Sequence, residues 1–294
     1  MRNLFTSKIL NLVFLSLLIS SCTYIKSSRD DVRCINKGPI EIHRYVLQGK
    51  PIKIPQVVQN ASGLAFNPVT KTLLLVLNRP TQVIELGLDG NVKRIIPLLG
   101  FDDTEGITLV YRDLFAIVEE KRKTICLIQI NHKTASIDYA GVAKIHMDQD
   151  NSGKRRAGNN GLEGITYDAK RKLFFVANEK KPVTIYQLPW TDVGESDYRI
   201  TNPDNVDMGS LILKDLSGLY FHSCSGNLLL LSEKSRCVVE YTMDGKAIGR
   251  LSLNTGSARS LRKNTRPEGI TMDDNNRLYI CSEPNILYVF TKKE

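Results

Sequence analysis

Residue types that usually carry catalysis or bind a soft metal are sparse in this sequence. The histidines are scattered, so no Ser-His-Asp or Cys-His arrangement is legible; they are His43, His132, His146 and His222. The six cysteines follow neither metal-ligand nor redox spacing. No stretch shows sustained helical periodicity. These absences argue against a triad hydrolase, a zinc centre and a helical fold.

The amino terminus has the pattern of an export signal. Arg2 and Lys8 supply positive charge, and residues 9–19 form an apolar run that is too short to span a bilayer comfortably. The segment Ile19-Ser20-Ser21-Cys22 resembles the lipobox of bacterial lipoproteins. We therefore predict a lipoprotein signal peptide at 1–21 and lipid on Cys22. The alternative is an ordinary signal peptide with an incidental cysteine.

Residues 22–40 are predicted to be a lipidated tether, because this stretch is polar and several acyl chains on Cys22 would anchor it stably. Thr23 stands where an Asp would favour retention in the inner membrane, so the expected location is the bacterial outer membrane, facing the periplasm or the surface. The formal charge of +9 becomes +7 without Arg2 and Lys8. Such a basic balance invites a nucleic-acid function, but export argues against it. We expect a monomer whose Lys and Arg residues lie mainly in solvated turns.

Five segments repeat one plan of an alternating strand, a polar turn and a nearly continuous apolar strand. They begin at Ser62, Glu105, Glu163, Ser217 and Glu268. Their starts lie 43, 58, 54 and 51 residues apart, the repeat length of a four-stranded propeller blade rather than of a helical solenoid. The prediction is an all-β, five-bladed β-propeller over residues 41–294.

Ring closure must be supplied by the chain ahead of the first repeat. The last repeat has only three strands, and an open edge would be unsatisfied. The strand-like sequence EIHRYVL at 41–47 is therefore predicted to be the outer strand of the final blade. The polar segment at 189–210 is interpreted as an insertion between the third and fourth blades.

The cysteines are interpreted as mostly structural. Cys126 and Cys281 fall inside apolar strand runs and are expected to be small core residues. With Cys22 lipidated, an odd number remains and cannot all pair within the chain. A bridge between Cys224 and Cys237 would join a turn of the fourth blade to its third strand, and it is one hypothesis for these two residues.

The amino-acid sequences of the repeats resemble those of the SdiA-regulated family. SGLAFNPVTKTLLLVLN, GLEGITYDAKRKLFFVANE, LSGLYFHSCSGNLLLLSE and PEGITMDDNNRLYICSEPNILYVF carry the resemblance, which extends from about residue 41 to the end. It implies a five-bladed propeller distantly akin to NHL-repeat proteins and a calcium ion bound at a family site. It implies no established reaction.

Glutamates recur at two positions of the repeat. One position opens the innermost strand, and the other closes the second strand. Because these strands are antiparallel, both positions should lie at the same end of the ring. Seven glutamates are therefore expected at one mouth: Glu105, Glu163 and Glu268 in the first position, and Glu120, Glu179, Glu233 and Glu283 in the second.

Burying several carboxylates together costs several kcal/mol unless something neutralises them. A hard divalent cation with oxygen ligands would do so, and Ca²⁺ tolerates a more irregular cage than Mg²⁺. Glu105, Glu163 and Glu268 are the predicted direct ligands, with Asn178 and the second position contributing further contacts. Two alternatives stay open: pairing with backbone N–H groups, Arg79 and lysines, or raised pKa values that keep some carboxyls neutral.

Two basic loops are expected to open onto the same mouth. Arg155 and Arg156 precede Glu163, and Arg262 and Arg266 precede Glu268. Guanidinium groups bind phosphate or carboxylate in a bidentate manner, so these four arginines are candidate anion ligands. Solvated loop residues are the alternative interpretation.

Two functions fit this pattern. The first is a non-catalytic, lipid-anchored propeller that binds calcium and presents the mouth to a small anion or a partner protein. The second is a calcium-dependent hydrolase of phosphoric esters or lactones, with Glu179 or Glu233 as the base. A pure scaffold without metal is a third hypothesis.

Overall fold

Five small antiparallel sheets form a ring in the computed structural model of the chain, as the repeats predict. The structure describes residues 38–147, 161–179, 183–190, 197–199, 204–206, 208, 211, 213–254, 261 and 264–294. Over these residues the regular secondary structure is strand and short 3₁₀ turns. No helix among them is long and apolar enough to cross a bilayer.

Each sheet is one blade, and its strands A to D run from the axis outward. Blade 1 consists of Ala61–Asn67, Thr72–Asn78, Thr81–Leu86 and Val92–Leu99, and blade 2 of Thr104–Tyr111, Leu114–Glu119, Thr124–Gln129 and Ala143–His146. Blade 3 consists of Leu162–Asp168, Leu173–Asn178, Thr184–Pro189 and Asp204–Asn205, and blade 4 of Gly218–His222, Asn227–Ser232, Cys237–Tyr241 and Ala247–Ser252. Blade 5 consists of Arg266–Met272, Leu278–Glu283, Ile286–Lys292 and Tyr45–Leu47.

Further short elements lie between or beside the blades. Ile137–Asp138 and Asp197–Arg199 add fifth strands, parallel to strand D of blades 1 and 2. Ile52–Lys53 pairs with strand C of blade 5. The two 3₁₀ turns are Ile42–Arg44 and Tyr139–Gly141.

The amino-terminal segment closes the ring as predicted. Tyr45–Leu47 pairs antiparallel with Ile286–Lys292 and so completes blade 5. The strand is shorter than the sequence suggested, because Ile42–Arg44 forms a 3₁₀ turn instead. The buried carboxylate of Glu240 accepts hydrogen bonds from the backbone N–H groups of the segment ahead of this strand, so the segment is held on blade 4 as well as on blade 5.

Apolar packing holds neighbouring blades together. The buried side chains form five clusters, one at each blade interface. Strand B is covered on both faces: six of the seven residues of Thr72–Asn78 are buried, and so are all six of Asn227–Ser232. This double burial explains why the second strand of each repeat reads as a continuous apolar run.

Two expectations from the sequence are wrong. The outer strand of blade 3, Asp204–Asn205, lies within the polar segment that was interpreted as an insertion, because a two-residue strand leaves no alternating pattern to recognise. Cys224 is disulfide-bonded, but Cys237 is a buried free thiol, so these two do not pair with each other. The expectation of buried core thiols at Cys126 and Cys281 is confirmed.

Candidate metal centre

β-Bulges mark the glutamates that open three inner strands. In blade 2 the register shifts between Thr104 and Gly106, so Glu105 is an extra residue with no partner across the strand pair. Similar shifts include Glu163 in blade 3 and Glu268 in blade 5. A bulge bends its strand and changes the direction of a side chain. The alternation of apolar and polar residues along a strand could not reveal this extra residue.

Glycines behind these positions allow the inner strands to approach closely. They are Gly63, Gly106, Gly164, Gly218 and Gly269. A Cβ at Gly63 would lie 2.7 Å from the carbonyl oxygen of Glu105, and one at Gly218 would lie 2.8 Å from that of Glu268. Real Cβ atoms do not approach backbone so closely, so the Glu-Gly and Ser-Gly pairs of the repeat are a packing requirement.

The inner strands line a narrow pocket on the ring axis, with room for about one water molecule. Residues of all five blades line it, including Glu105, Ser217 and Glu268. We call the end of the ring at which the inner strands begin the acidic mouth. The pocket leads to it, so a ligand entering here would meet carboxylates.

Three carboxylates converge on the blade 2 side of this mouth. One oxygen from each of Asp103, Glu105 and Glu120 lies within 4.8 Å of the others. The backbone N–H of Glu120 donates to the carbonyl of Asp103 at 3.0 Å, which fixes the two segments relative to each other. This spacing is one that a single cation with carboxylate ligands can bridge.

Glu163 extends this group into blade 3. A side chain at Gly161 would collide with the carboxylate of Glu120, and its Cβ would lie 3.0 Å from Oε1 of Glu163. The two carboxylates therefore share the space beside Gly161. Only a residue without a side chain leaves this space open.

The buried glutamates repel one another. Burial raises the pKa of Glu268 to about 8, with a further contribution from the charges of Glu233 and Glu105. The pKa of Glu163 is raised first by burial and then by the charges of Glu105 and Glu120. Burial also raises the pKa of Glu105, although the amide of Asn78 counteracts this. A divalent cation would relieve this repulsion.

Only some of the glutamates that close strand B interact with the glutamates that open strand A. Glu120, Glu179 and Glu233 act electrostatically on the inner glutamates. Oε1 of Glu179 also accepts from Nζ of Lys234 at 2.9 Å. Glu283 instead forms an ion pair with Arg266. Asn178 is buried at the end of strand B in blade 3, where it pairs with Leu162. Metal ligation by these residues remains a prediction.

The predicted anion ligands fall mostly outside the described residues, namely Arg155, Arg156 and Arg262. Arg266 is described, and its partner is a carboxylate of the mouth. Two other cations lie at the rim: Arg79 is 3.9 Å and Lys121 is 3.6 Å from Asp103, and both are at least half exposed.

Asp103 and Asn78 are site residues that the sequence reading missed. Nδ2 of Asn78 donates to Oε1 of Glu105 at 2.9 Å. Asp103 precedes the inner strand by one residue, so no strand pattern includes it. The available signal was the sequence Asp-x-Glu-Gly at 103–106, whose counterpart Asp215-x-Ser-Gly in blade 4 also carries a buried aspartate.

The donor set fits a hard cation. The cluster offers carboxylate oxygens, and Oδ1 of Asn78 is a buried amide oxygen that has no hydrogen-bond partner among the described residues. An acceptor of this kind beside three carboxylates suits Ca²⁺, which takes six to eight oxygen ligands in flexible geometry. Thiolate and imidazole ligands, which zinc and copper favour, do not belong to this cluster.

Comparison with known proteins adds a family and several distant folds. A family model described as SdiA-regulated matches residues 39–291. Similar solved structures include a chain of a nidogen/laminin complex, at 15% identity over 76% of this chain and 73% of that chain with a TM-score of 0.49. A gluconolactonase from Xanthomonas campestris is 13% identical over 86% of this chain and 96% of that chain, with a TM-score of 0.48. An inactive virginiamycin B lyase from Staphylococcus aureus is 12% identical over 79% and 66%, with a TM-score of 0.44. Likenesses at this level carry no argument about activity.

Proposed function

This chain belongs to the SdiA-regulated family, and on that premise we propose that it is a calcium-binding propeller of the bacterial cell envelope. Lipid on Cys22 anchors it in the outer membrane. The bound ion is presented at the acidic mouth to a small anionic ligand or an envelope partner. The observation that carries this proposal is the convergence of Asp103, Glu105 and Glu120 beside a buried amide oxygen.

Electrostatics supports a resident cation. Glu163 and Glu268 are half-buried near further carboxylates, and the cations near the mouth lie at its rim, where water screens them. Leaving several buried charges uncompensated costs several kcal/mol, so the ion supplies free energy to the folded state. Ca²⁺ suits the site better than Mg²⁺, because the carboxylates come from loops and bulges that do not impose an octahedron.

Each residue has a defined task in this proposal. Asp103, Glu105 and Glu120 contribute carboxylate oxygens to the ion, and the amide of Asn78, which donates to Glu105, supplies a further oxygen after rotation of its side chain. Glu163, which lies in blade 3, adds negative charge that balances the positive charge of the ion. The bound ion attracts and polarises an anionic oxygen of a ligand. Arg79 and Lys121 lie at the rim and would meet the remaining negative charge of that ligand.

A calcium-dependent hydrolase of phosphoric esters or lactones is the alternative. Its support is the axial pocket, which Glu268 lines outside the Asp103-Glu105-Glu120 cluster. Glu233 remains the candidate base from the second position. Glu179 is less suited, since its carboxylate is already engaged in an ion pair with Lys234. Turnover of a phosphoester or lactone that a calcium chelator abolishes would support the enzyme.

Isothermal titration calorimetry with calcium tests the proposed function. We expect one binding event for the full chain, and a loss of affinity of at least tenfold in Glu105→Gln and Glu120→Gln. Asp244→Asn is the matched control, because it makes the same charge change on an exposed turn at the other end of blade 4. Calcium binding that is equal in all four proteins, or absent from the unmodified chain, would refute the metal centre.

A further inference from the structure

The first described residues leave the propeller at the end opposite the acidic mouth. This end is formed by the turns between strands A and B and by those between strands C and D; we call its A–B turns, at 67–72, 111–114, 168–173, 222–227 and 273–278, the turn face. The N–H of Ile40 donates to Glu240, which also accepts from Asn227 at the end of one of these turns. The hydroxyl of Tyr45 donates to the carbonyl of Asn276 in another at 3.0 Å. The chain therefore enters the ring through the turn face.

Exposed charge on the described turns is mainly positive. Their exposed cations are Lys71, Arg112, Lys170, Arg171 and Lys172. Their acidic residues are Asp113, Asp168, Asp273 and Asp274. Asp168 and Asp273 are buried and bound by Arg171 and Arg277, Asp113 is half-buried, and Asp274 is exposed and paired with Lys71.

Exposed apolar groups lie among these cations. Val69 is 70% exposed and Tyr111 is 51% exposed, and each is in a different turn. Aromatic and aliphatic side chains beside Lys and Arg are the composition of surfaces that rest on a phospholipid headgroup layer.

We propose that the turn face docks on an anionic phospholipid surface, with the acidic mouth directed away from the bilayer. This inference rests on the lipid anchor of the proposed function. Cys22 lies sixteen residues before Gly38, so even a fully extended tether spans at most about 55 Å. Because the tether starts from the turn face, it brings this face to the membrane. Each exposed cation that is not already paired with a carboxylate, such as Lys170, then contributes about fivefold to the docking equilibrium.

Trp190 provides a native reporter, since it is the only tryptophan in the chain. Its ring packs against Tyr167, with ring centroids 5.9 Å apart. The backbone N–H of Trp190 donates to the backbone carbonyl of Lys172 at 2.9 Å. It therefore lies beside the basic turn of blade 3. Its fluorescence should be quenched by a nitroxide lipid headgroup when the turn face is on the membrane.

The experiment uses the full lipidated chain in phosphatidylcholine vesicles, with and without phosphatidylglycerol, that carry the nitroxide lipid. We expect strong quenching with phosphatidylglycerol and several-fold less without it. The double substitution Lys170→Glu with Lys172→Glu should reduce quenching to the level without phosphatidylglycerol. Lys53→Glu is the matched control, because Lys53 is exposed and pairs with Ile286 at the acidic-mouth end, and it should leave the quenching unchanged.

Flotation of the same vesicles separates this inference from the anchor. A chain that floats while Trp190 stays unquenched is anchored but not docked, which overturns the inference alone. A chain that does not float overturns both the anchor and the docking. Concentration-dependent dimerisation that the lysine substitutions abolish would assign the turn face to a second copy and would also overturn it. Calcium affinity should be equal in all these variants.

Discussion

Both ends of the propeller bury carboxylates, but in different surroundings. At the turn face Asp273 accepts from Arg277 at 2.7 Å and from the hydroxyl of Tyr279 at 3.1 Å, so its charge is compensated in place. At the acidic mouth Glu163 and Glu268 are half-buried among other carboxylates, and their pKa values are raised first by loss of water and then by those neighbouring charges. The first arrangement stabilises a turn. The second stores repulsion that a ligand can release, which is a sign of a functional site.

The largest effect that tests this contrast is expected at Glu240. Glu240→Ala removes the acceptor for the N–H groups of Ile40 and Ile42 and for Nδ2 of Asn227, and should lower the free energy of unfolding by about 4 kcal/mol. Urea denaturation measures this loss. Glu268→Gln should not destabilise the calcium-free protein, because it removes a repelling charge. If both substitutions destabilised equally in chelator, the two ends would not differ as we infer.

A pH titration of stability should show the repulsion at the mouth. The folded-state pKa of Glu268, about 8, exceeds the ordinary value of 4.5, so its contribution to stability is complete below pH 4.5 and is lost as pH rises to 8. Without calcium, the free energy of unfolding should fall over this range by on the order of 3 kcal/mol. Thermal melting in chelator measures the decline, and Glu268→Gln should flatten it. A stability that rises towards pH 8 would contradict the repulsion.

Calcium should reverse that decline. At a concentration one hundred times the dissociation constant, a ligand adds about 2.7 kcal/mol to the folded state, and the melting temperature should rise by about 5 to 10 °C. The gain should be much smaller in Glu163→Gln, and Glu240→Ala should keep it in full despite its lower starting stability. Unchanged melting of the unmodified chain at pH 8 on adding calcium would remove the metal centre.

A smaller effect should distinguish Asp103 from the other aspartates. Asp103→Asn is expected to weaken calcium binding about tenfold, or about 1.4 kcal/mol, because an amide oxygen carries no full negative charge. Calorimetry at constant ionic strength measures this change. The matched substitution Asp215→Asn in blade 4 should alter stability but not calcium affinity, since its carboxylate is already bound by Ser232 and Lys234. Equal loss of affinity in both variants would mean that the site is not centred on blade 2.

The sequence predicted the fold well because the fold is local and repeated. Each blade is a set of adjacent antiparallel strands, and alternation with turn residues records their order directly. Closure by the amino terminus was predictable from the missing fourth strand of the last repeat. The outer strand of blade 3 was not, since the two residues at Asp204–Asn205 pair with strand C without any apolar pattern of their own.

The site was predicted only in part. Placing Glu105, Glu163 and Glu268 at one mouth required nothing beyond strand direction. The contribution of Asp103 depends on its lying against Glu105 and Glu120, which a strand pattern does not encode. The ion pair of Glu283 with Arg266 depends on how the start of strand A lies against the end of strand B in blade 5. Contacts of this kind are decided by tertiary packing.

Closure of blade 5 by Tyr45–Leu47 also determines at which stage of synthesis the ring of blades can close. The strand that receives this segment, Ile286–Lys292, follows the other four blades in the chain, so the ring cannot shut until this strand has been synthesised. Until then the segment at 45–47 has no neighbour, and the growing chain carries an unpaired edge. A protein built in this way completes its fifth sheet in a single late step, and loss of either of these two strands would leave the ring open.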